Sequence, residues 1–297
     1  MRAARFHAPG DVRIEEVARP EPGDGDVLVR VEVALTDGTD LKAFRRGHPL
    51  LLGELPAPFG HEFCGVAEDG RRVVAANSDG DRTDLHLLNG AYAEWLLVPE
   101  RIARVNLLPV PDGLASEVAA MVEPLACCLH GIERAAVEEG DTVAVVGTGP
   151  IGLLLCACVA DAGGRPIAIG RRAELAREFG AEPGDGRGAD VAIEAAGTEQ
   201  AWRDALELVR PGGTVVFFGG LERGASVPVD AYRLHYEELT LRGAFHHTPA
   251  TVRAALVFLA SGAYPWERLI THRVPLDELP SLFADPPESL LKAAVYP

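Results

Sequence analysis

The chain has 297 residues, of which 47% are hydrophobic and 24% charged, enough apolar material for two domains with their own cores. Its formal charge of −16 argues against nucleic acid and anionic membranes as partners, because phosphate contacts need clustered Lys and Arg. Five cysteines (Cys64, Cys127, Cys128, Cys156, Cys158) form no C-x-x-C pair and are odd in number, so reduced thiols and a cytoplasmic location are expected. The first ten residues lack the apolar core of a signal peptide. The uncharged stretch from Thr142 to Ala160 contains Gly-Thr-Gly-Pro, which predicts a buried strand and helix rather than a membrane span.

In chain order, short strands are predicted over Val12–Val17 and Val27–Leu35, where Val27, Val29, Val31 and Val33 mark one face. Asp37-Gly-Thr-Asp40 leads into a short helical segment, 41–46. Further strands are expected near 72–76 and 92–98, so the N-terminal part reads as antiparallel and β-rich. Near Ser116 the period changes. Apolar helical faces are predicted at 118–121 and 125–132, interrupted at Glu123-Pro124. From Thr142 strands and helices alternate: strand 143–146, helix 150–162, strand 167–169, helix 172–179, strand 190–194, helix 199–209, then strands 214–218 and 239–245. Such alternation specifies a parallel sheet covered by helices. A helix over 251–259 and a closing strand over 293–296 complete the chain.

The most informative stretch is Val143-Ala-Val-Val-Gly147-Thr-Gly149-Pro150-Ile151-Gly152. Gly147, Gly149 and Gly152 have the G-x-G-x-x-G spacing, placed between an apolar strand and an apolar helix. Pro150 suits the first helical position, where no N–H is needed. The arrangement lets backbone approach a pyrophosphate and puts that anion on a helix N-terminus, which predicts a dinucleotide site at Gly147, Gly149, Pro150, Ile151 and Gly152.

Taken together, Asp37-Gly-Thr-Asp40, Gly60-His-Glu62, Gly90-Ala-Tyr-Ala-Glu94, Glu123-Pro-Leu125, the glycine motif and Arg210-Pro-Gly-Gly213 resemble the zinc-dependent medium-chain dehydrogenase/reductase family. The Glu-Pro-Leu form is similar to its sorbitol, threonine and glucose dehydrogenase branches. The resemblance implies a GroES-like catalytic domain, 1–124 with 246–297, and a doubly wound Rossmann domain, 125–245. It also implies one catalytic zinc. Asp37 stands where the family pattern has a cysteine, and His61 matches the histidine ligand. Glu62 matches the adjacent glutamate, a ligand or an outer partner, and Glu123 a position that acts directly or through water. Asp40 is placed to fix the tautomer of His61. One imidazole and three carboxylates suit Zn²⁺ but are harder donors than a thiolate-containing set.

The resemblance further implies that Thr39 contacts the alcohol oxygen and starts a proton relay. Lys42 lies where many relatives have a relay histidine, so it is either a relay amine or a phosphate or surface contact. The region 75–84 has none of the four cysteines of a structural zinc, so that second metal is expected to be absent. An acidic residue commonly ends the second strand of an NAD site. Here the strand ends Gly170-Arg171-Arg172, which predicts NADP over NAD, the alternative being two solvated arginines. The expected reaction is reversible hydride transfer between a secondary alcohol, polyol or sugar-like, and NADP, with the alcohol or carbonyl compound as the only partner besides copies of the chain in a homodimer or homotetramer. The rival expectations are a metal-free NADPH-dependent enone or quinone reductase of the same superfamily, and a non-catalytic nucleotide-binding protein.

Overall fold

A computed structural model describes residues 1–297, which divide into two units, 1–124 with 248–297 and 125–247. The expected two-domain α/β organisation is the one observed, and no helix is long and apolar enough to cross a membrane.

The first unit is built on the strand Val27–Leu35, whose alternating β-branched residues suit a pleated surface. Val29, Val33, Ala34 and Leu35 are essentially inaccessible, so this strand is covered on both faces. It pairs antiparallel with Glu62–Ala67, with Trp95–Val98 and with Lys292–Tyr296. Leu35 lies opposite Glu62 on one side and Ala294 on the other. The outer strands of this sheet are Arg72–Ala75, Leu107–Pro109 and Ile270–Pro275. A separate small sheet joins Arg2–Ala8 to Asp11–Glu16 and Ala57–Pro58. Phe6, Phe59, Tyr92 and Phe283 pack as tilted and edge-on rings in the core of the unit, an arrangement that favours contact between ring edge and ring face.

Over residues 79–84, Arg101 ties the chain down. Its guanidinium donates to Asp79 at 2.9 Å, to the Asp84 carboxylate at 3.2 Å and to the Asp84 carbonyl at 2.9 Å. Asn106 donates to the Ser78 carbonyl, which holds the other end of the loop. Arg101→Ala is expected to expose residues 79–86 to limited proteolysis while costing less than about 1 kcal/mol of global stability, since the pairs are half exposed. Cleavage at the parent's rate would show that the guanidinium does not hold this loop.

The second unit contains a six-stranded parallel sheet in the order Glu182–Pro183, Arg165–Ile169, Thr142–Val146, Ala189–Glu194, Val209–Phe217, Thr240–Gly243. Numbered along the chain this is 3-2-1-4-5-6, the doubly wound order, and it reverses direction between Thr142–Val146 and Ala189–Glu194. The helix Pro150–Asp161 leaves the first of these strands with Gly149 as its N-cap and Pro150 in its first turn. Nearly all of that helix is buried, as its uninterrupted apolar sequence requires.

Two local expectations are corrected. The helix expected over 172–179 is a 3₁₀ segment, Leu175–Phe179, ended by Gly180 in a left-handed conformation. The strand Glu182–Pro183, unforeseen, pairs parallel with Ile167–Ala168, so residues 170–181 must make the whole crossover, near the shortest length that permits one. A stretched 3₁₀ turn gains more rise per residue than an α-helix there. The interruption expected at Glu123-Pro124 falls earlier, between Ser116–Ala119 and Val122–Ala135. Pro124 sits in the first turn of the second helix, where its missing N–H has no intrahelical partner to lose.

Candidate active site

Asp37 is the N-cap of the helix Gly38–Arg46 and forms a capping box with Asp40. Asp37 Oδ1 accepts from the Asp40 N–H at 2.7 Å, and Asp40 Oδ2 accepts from the Asp37 N–H at 3.3 Å. Each carboxylate therefore spends one oxygen on the helix terminus and turns the other towards His61. Asp40 Oδ1 lies 3.2 Å from His61 Nδ1, an ion-pair distance without good hydrogen-bond alignment. Asp37 Oδ2 lies 3.7 Å from His61 Nε2. The imidazole is clamped between the two aspartates, with Asp40 fully buried. Tyr92 secures Asp40 from behind, its hydroxyl between Asp40 Oδ2 and the Leu35 carbonyl, 3.0 Å away.

Glu62 follows His61 into the strand Glu62–Ala67 and is fully buried. Donor atoms of Asp37, His61 and Glu62 all lie within 4.8 Å of one another. Both Glu62 oxygens, however, accept from Lys292 Nζ, at 2.7 and 2.6 Å. Lys292, also fully buried, went unassigned in the sequence reading. Its signal was there: the chain has only two lysines, and this one enters a short closing strand. Glu123 is buried in the first turn of Val122–Ala135, and its charge bears on both His61 and Glu62.

The ionisation of this cluster reflects an excess of acids over bases. Burial and the neighbouring Asp37 raise the Asp40 carboxyl above its ordinary range. Burial likewise raises Glu62, to about 8, although Lys292 pulls it down. His61 resists burial and stays well above the usual imidazole value because Asp40 and Asp37 flank it. For Asp37, burial is outweighed by His61 and Lys292, and its pKa is lowered. Asp37, Asp40, Glu62 and Glu123 act on one another and on His61 and Lys292 in this region. A donor set so rich in carboxylate oxygen fits a divalent cation, which would offset charge that is costly to bury unpaired. Donor atoms of Asp37, His61 and Glu62 are the ones gathered for such an ion, with Glu62 also accepting from Lys292.

Thr39 is half-buried one residue from the cap, and its hydroxyl hydrogen-bonds to Asp37. Lys42 is half-buried on the same helix. His48, which no motif singled out, is also drawn towards the cluster. Its Nδ1 accepts from the Leu51 N–H at 3.2 Å, and burial, with the nearby His61, lowers its pKa.

In the other unit, Gly147, Gly149, Pro150, Ile151 and Gly152 form the turn from Thr142–Val146 into Pro150–Asp161. A Cβ on Gly152 would come 1.8 Å from the Gly147 carbonyl oxygen, so only glycine allows the helix this close to the strand. A Cβ on Gly149 would meet nothing within 4 Å, which leaves an open cradle at the helix N-terminus where an anion can rest. The residues thus fit a dinucleotide pyrophosphate. At Gly170 the vacated space is partly taken by Thr148, whose Oγ1 would lie 2.5 Å from a Cβ there and accepts from the Arg172 N–H at 2.9 Å. Thr148 thereby fixes the backbone from which the exposed Arg171 and the half-buried Arg172 project.

A β-rich domain carrying a buried imidazole–carboxylate cluster, joined in one chain to a dinucleotide-type sheet, defines a class of two-domain oxidoreductases. Residues 23–112 match the alcohol dehydrogenase GroES-like domain, and residues 182–261 match the zinc-binding dehydrogenase domain. The chain belongs to the zinc-type medium-chain dehydrogenase family. It is 30% identical to the erythritol/L-threitol dehydrogenase of Mycolicibacterium smegmatis, over 94% of this chain and 92% of that one. It is 29% identical to the (R,R)-butanediol dehydrogenase of Bacillus subtilis, over 94% of each. A solved structure of a zinc-binding dehydrogenase from Sinorhizobium meliloti 1021, bound to NADP, superposes with a TM-score of 0.90 at 31% identity, over 100% of this chain and 99% of the other.

Proposed function

We propose that the protein reversibly oxidises a secondary alcohol of polyol or sugar type to a carbonyl compound, with NADP as hydride acceptor and one zinc ion held by Asp37, His61 and Glu62. The observation that carries this reading is the clamp on His61, two capping aspartates each with one oxygen turned to the ring. Relatives named for butanediol and erythritol support the polyol class. Bound at this site, zinc supplies Lewis acidity towards the substrate oxygen, and the nicotinamide supplies the hydride acceptor. The chain's own residues orient and move protons. The Asp40 carboxylate, 3.2 Å from His61 Nδ1, favours a proton on that nitrogen, so that Nε2 is the one that would give up its proton to a metal. Thr39 Oγ1, which hydrogen-bonds to Asp37, would receive the substrate proton and pass it on.

The test is elemental analysis of the dialysed protein together with turnover on a panel of vicinal diols, sugar alcohols and simple alcohols. About one zinc per chain and a preference for polyols are expected. Metal-free protein that reduces enones would move the assignment to the reductase alternative.

Cofactor choice has its own expected result. Arg171→Ala or Arg172→Ala should remove a charge-assisted contact to the 2′-phosphate, worth about 1.5–3 kcal/mol. That corresponds to a loss of roughly ten- to a hundredfold in kcat/KM for NADP, with NAD little affected. If the parent prefers NAD, or if neither variant shifts the ratio, the arginines are not phosphate ligands.

A further inference from the structure

Glu194 ends the fourth strand of the parallel sheet, directly opposite Val146, at the point where the strand order reverses. Ligands of doubly wound sheets bind in the crevice at that point, outside the carboxyl ends of the strands. The Glu194 side chain is fully buried. Its Oε1 accepts from the N–H groups of Ala196 and Gly197, at 2.7 and 2.6 Å, and so closes the chain into a tight turn just past the strand. The Glu194 carbonyl accepts from the Phe218 and Gly219 N–H groups, at 3.1 and 3.0 Å, which draws in the end of the neighbouring strand. One residue thus governs two adjacent turns.

These turns are in close contact. A Cβ on Gly219 would come 2.4 Å from the Gly197 nitrogen and 2.6 Å from Glu194 Oε2, so only glycine fits there. On the other side, a Cβ on Gly147 would come 3.0 Å from the Ala196 nitrogen, so the same turn is set against the first glycine of the dinucleotide motif. Trp202 braces the arrangement, its indole N–H donating to the Gly219 carbonyl at 2.9 Å and its ring stacked on Phe217. Ala196 is nonetheless exposed, so the turn presents its outer side at the carboxyl ends of the strands.

The two halves of the sheet have separate supports. The ribose position at the end of the second strand assigns the adenosine half of a dinucleotide to the first three strands, which leaves the nicotinamide half to the strands from Ala189–Glu194 onward. The glycine turn is tied to the adenosine side: the Gly147 N–H donates to the Ile169 carbonyl at 2.8 Å, and the Arg172 N–H to Thr148 Oγ1. On the nicotinamide side the backbone of residues 195–197 hangs on the Glu194 carboxylate.

We propose that Glu194 is a positioning residue for the nicotinamide half of the cofactor, locking residues 195–197 between Gly147 and Gly219 and so fixing the backbone that meets that half. The inference rests on the reading of Gly147–Gly152 as a dinucleotide site, and not on whether NADP or NAD is preferred. Losing the lock weakens the whole cofactor more than its adenosine half, a distinction that a purely structural role would not produce.

Calorimetric titration of the full chain with NADP and with its adenosine half, adenosine 2′,5′-bisphosphate, provides the test; NAD and AMP replace them if the protein takes NAD. In Glu194→Ala, affinity for the dinucleotide is expected to fall by about tenfold or more, the scale of one hydrogen bond to a charged group, while the half binds as in the parent. Equal loss for both ligands, or loss for neither, would overturn the proposal. Glu194→Gln keeps an acceptor oxygen for the two N–H groups and is expected to fall between the parent and Glu194→Ala. If it binds as weakly as Glu194→Ala, charge rather than the held turn is at work and the proposal is overturned. Gly219→Ala pushes on the turn without removing the carboxylate, so it is expected to give the same selective loss even if Glu194→Ala does not fold; an unselective effect there would also overturn the proposal. A parent that binds neither the dinucleotide nor its half would instead refute the dinucleotide site.

Discussion

Asp37→Ala is expected to abolish zinc retention and turnover while leaving binding of the nicotinamide cofactor nearly intact, since the glycine motif belongs to the other unit. The loss should exceed the roughly 100-fold typical of outer-shell partners, because the proposal makes Asp37 a direct ligand. The same substitution removes the cap of Gly38–Arg46 and should cost about 1 kcal/mol of stability. Asp37→Asn separates the two roles. Asparagine caps a helix as well as aspartate, so stability should be kept while the anionic oxygen, and with it the metal, is lost. Asp37→Cys should bind zinc more tightly through a softer thiolate and release it more slowly to a chelator, despite forfeiting the cap. If Asp37→Asn stays active and zinc-loaded, Asp37 is a capping residue and nothing more.

Lys292→Ala is expected to carry the largest stability cost. Removing one partner from a buried pair leaves an uncompensated charge, at about 3–5 kcal/mol. The sign of its pH dependence follows from Glu62, whose carboxyl lies at about 8 even with the ammonium pulling it down. Without that pull it rises further. Protonation then relieves the stranded charge, so the deficit should shrink as pH falls and deepen as pH rises above that value. Denaturant unfolding of the chelator-treated variant across this range provides the check. Glu62→Gln/Lys292→Met, which removes both charges, should recover most of the loss. A Lys292→Ala protein as stable as the parent at high pH would show that the pair holds nothing together.

What could be read from the sequence divides by how local the determining interactions are. The glycine turn and the strand–helix alternation from Thr142 onward are encoded in neighbouring residues, and they sit where the pattern places them. The capping box is local as well, although Asp37-Gly-Thr-Asp40 conceals that each aspartate serves a helix end and an imidazole at once. The strand Arg2–Ala8 escaped notice because its buried side chains are Ala3, Ala4 and Phe6, two of them too small to mark a face. The helix expected after Gly170 failed because the next strand, unseen in Glu182–Pro183, left too little chain for it. Lys292 is the most instructive omission. Lys42 is singled out by its place after Asp37-Gly-Thr-Asp40, whereas Lys292, the only other lysine, belongs to no motif. No spacing rule joins Lys292 to Glu62 across 230 residues; only the pairing of both flanking strands with Val27–Leu35 does so.

That separation also imposes an order of events on the growing polypeptide. At about 5–20 residues per second, roughly 10–45 s pass between synthesis of Glu62 and synthesis of its ammonium partner. Residues 125–247 emerge in between with their parallel sheet self-contained, free to fold while the first 124 residues still lack a neighbour for one side of Val27–Leu35. During this interval His61 and Asp37 already exist but Glu62 is unrestrained. An ion captured early would meet a cluster whose Glu62 is not yet paired, whereas one captured after Lys292–Tyr296 has docked meets the finished arrangement. Metal supplied throughout cell-free translation, compared with metal added after release, should therefore yield less active protein for the same zinc content; equal yields would mean that the last strand corrects an early capture.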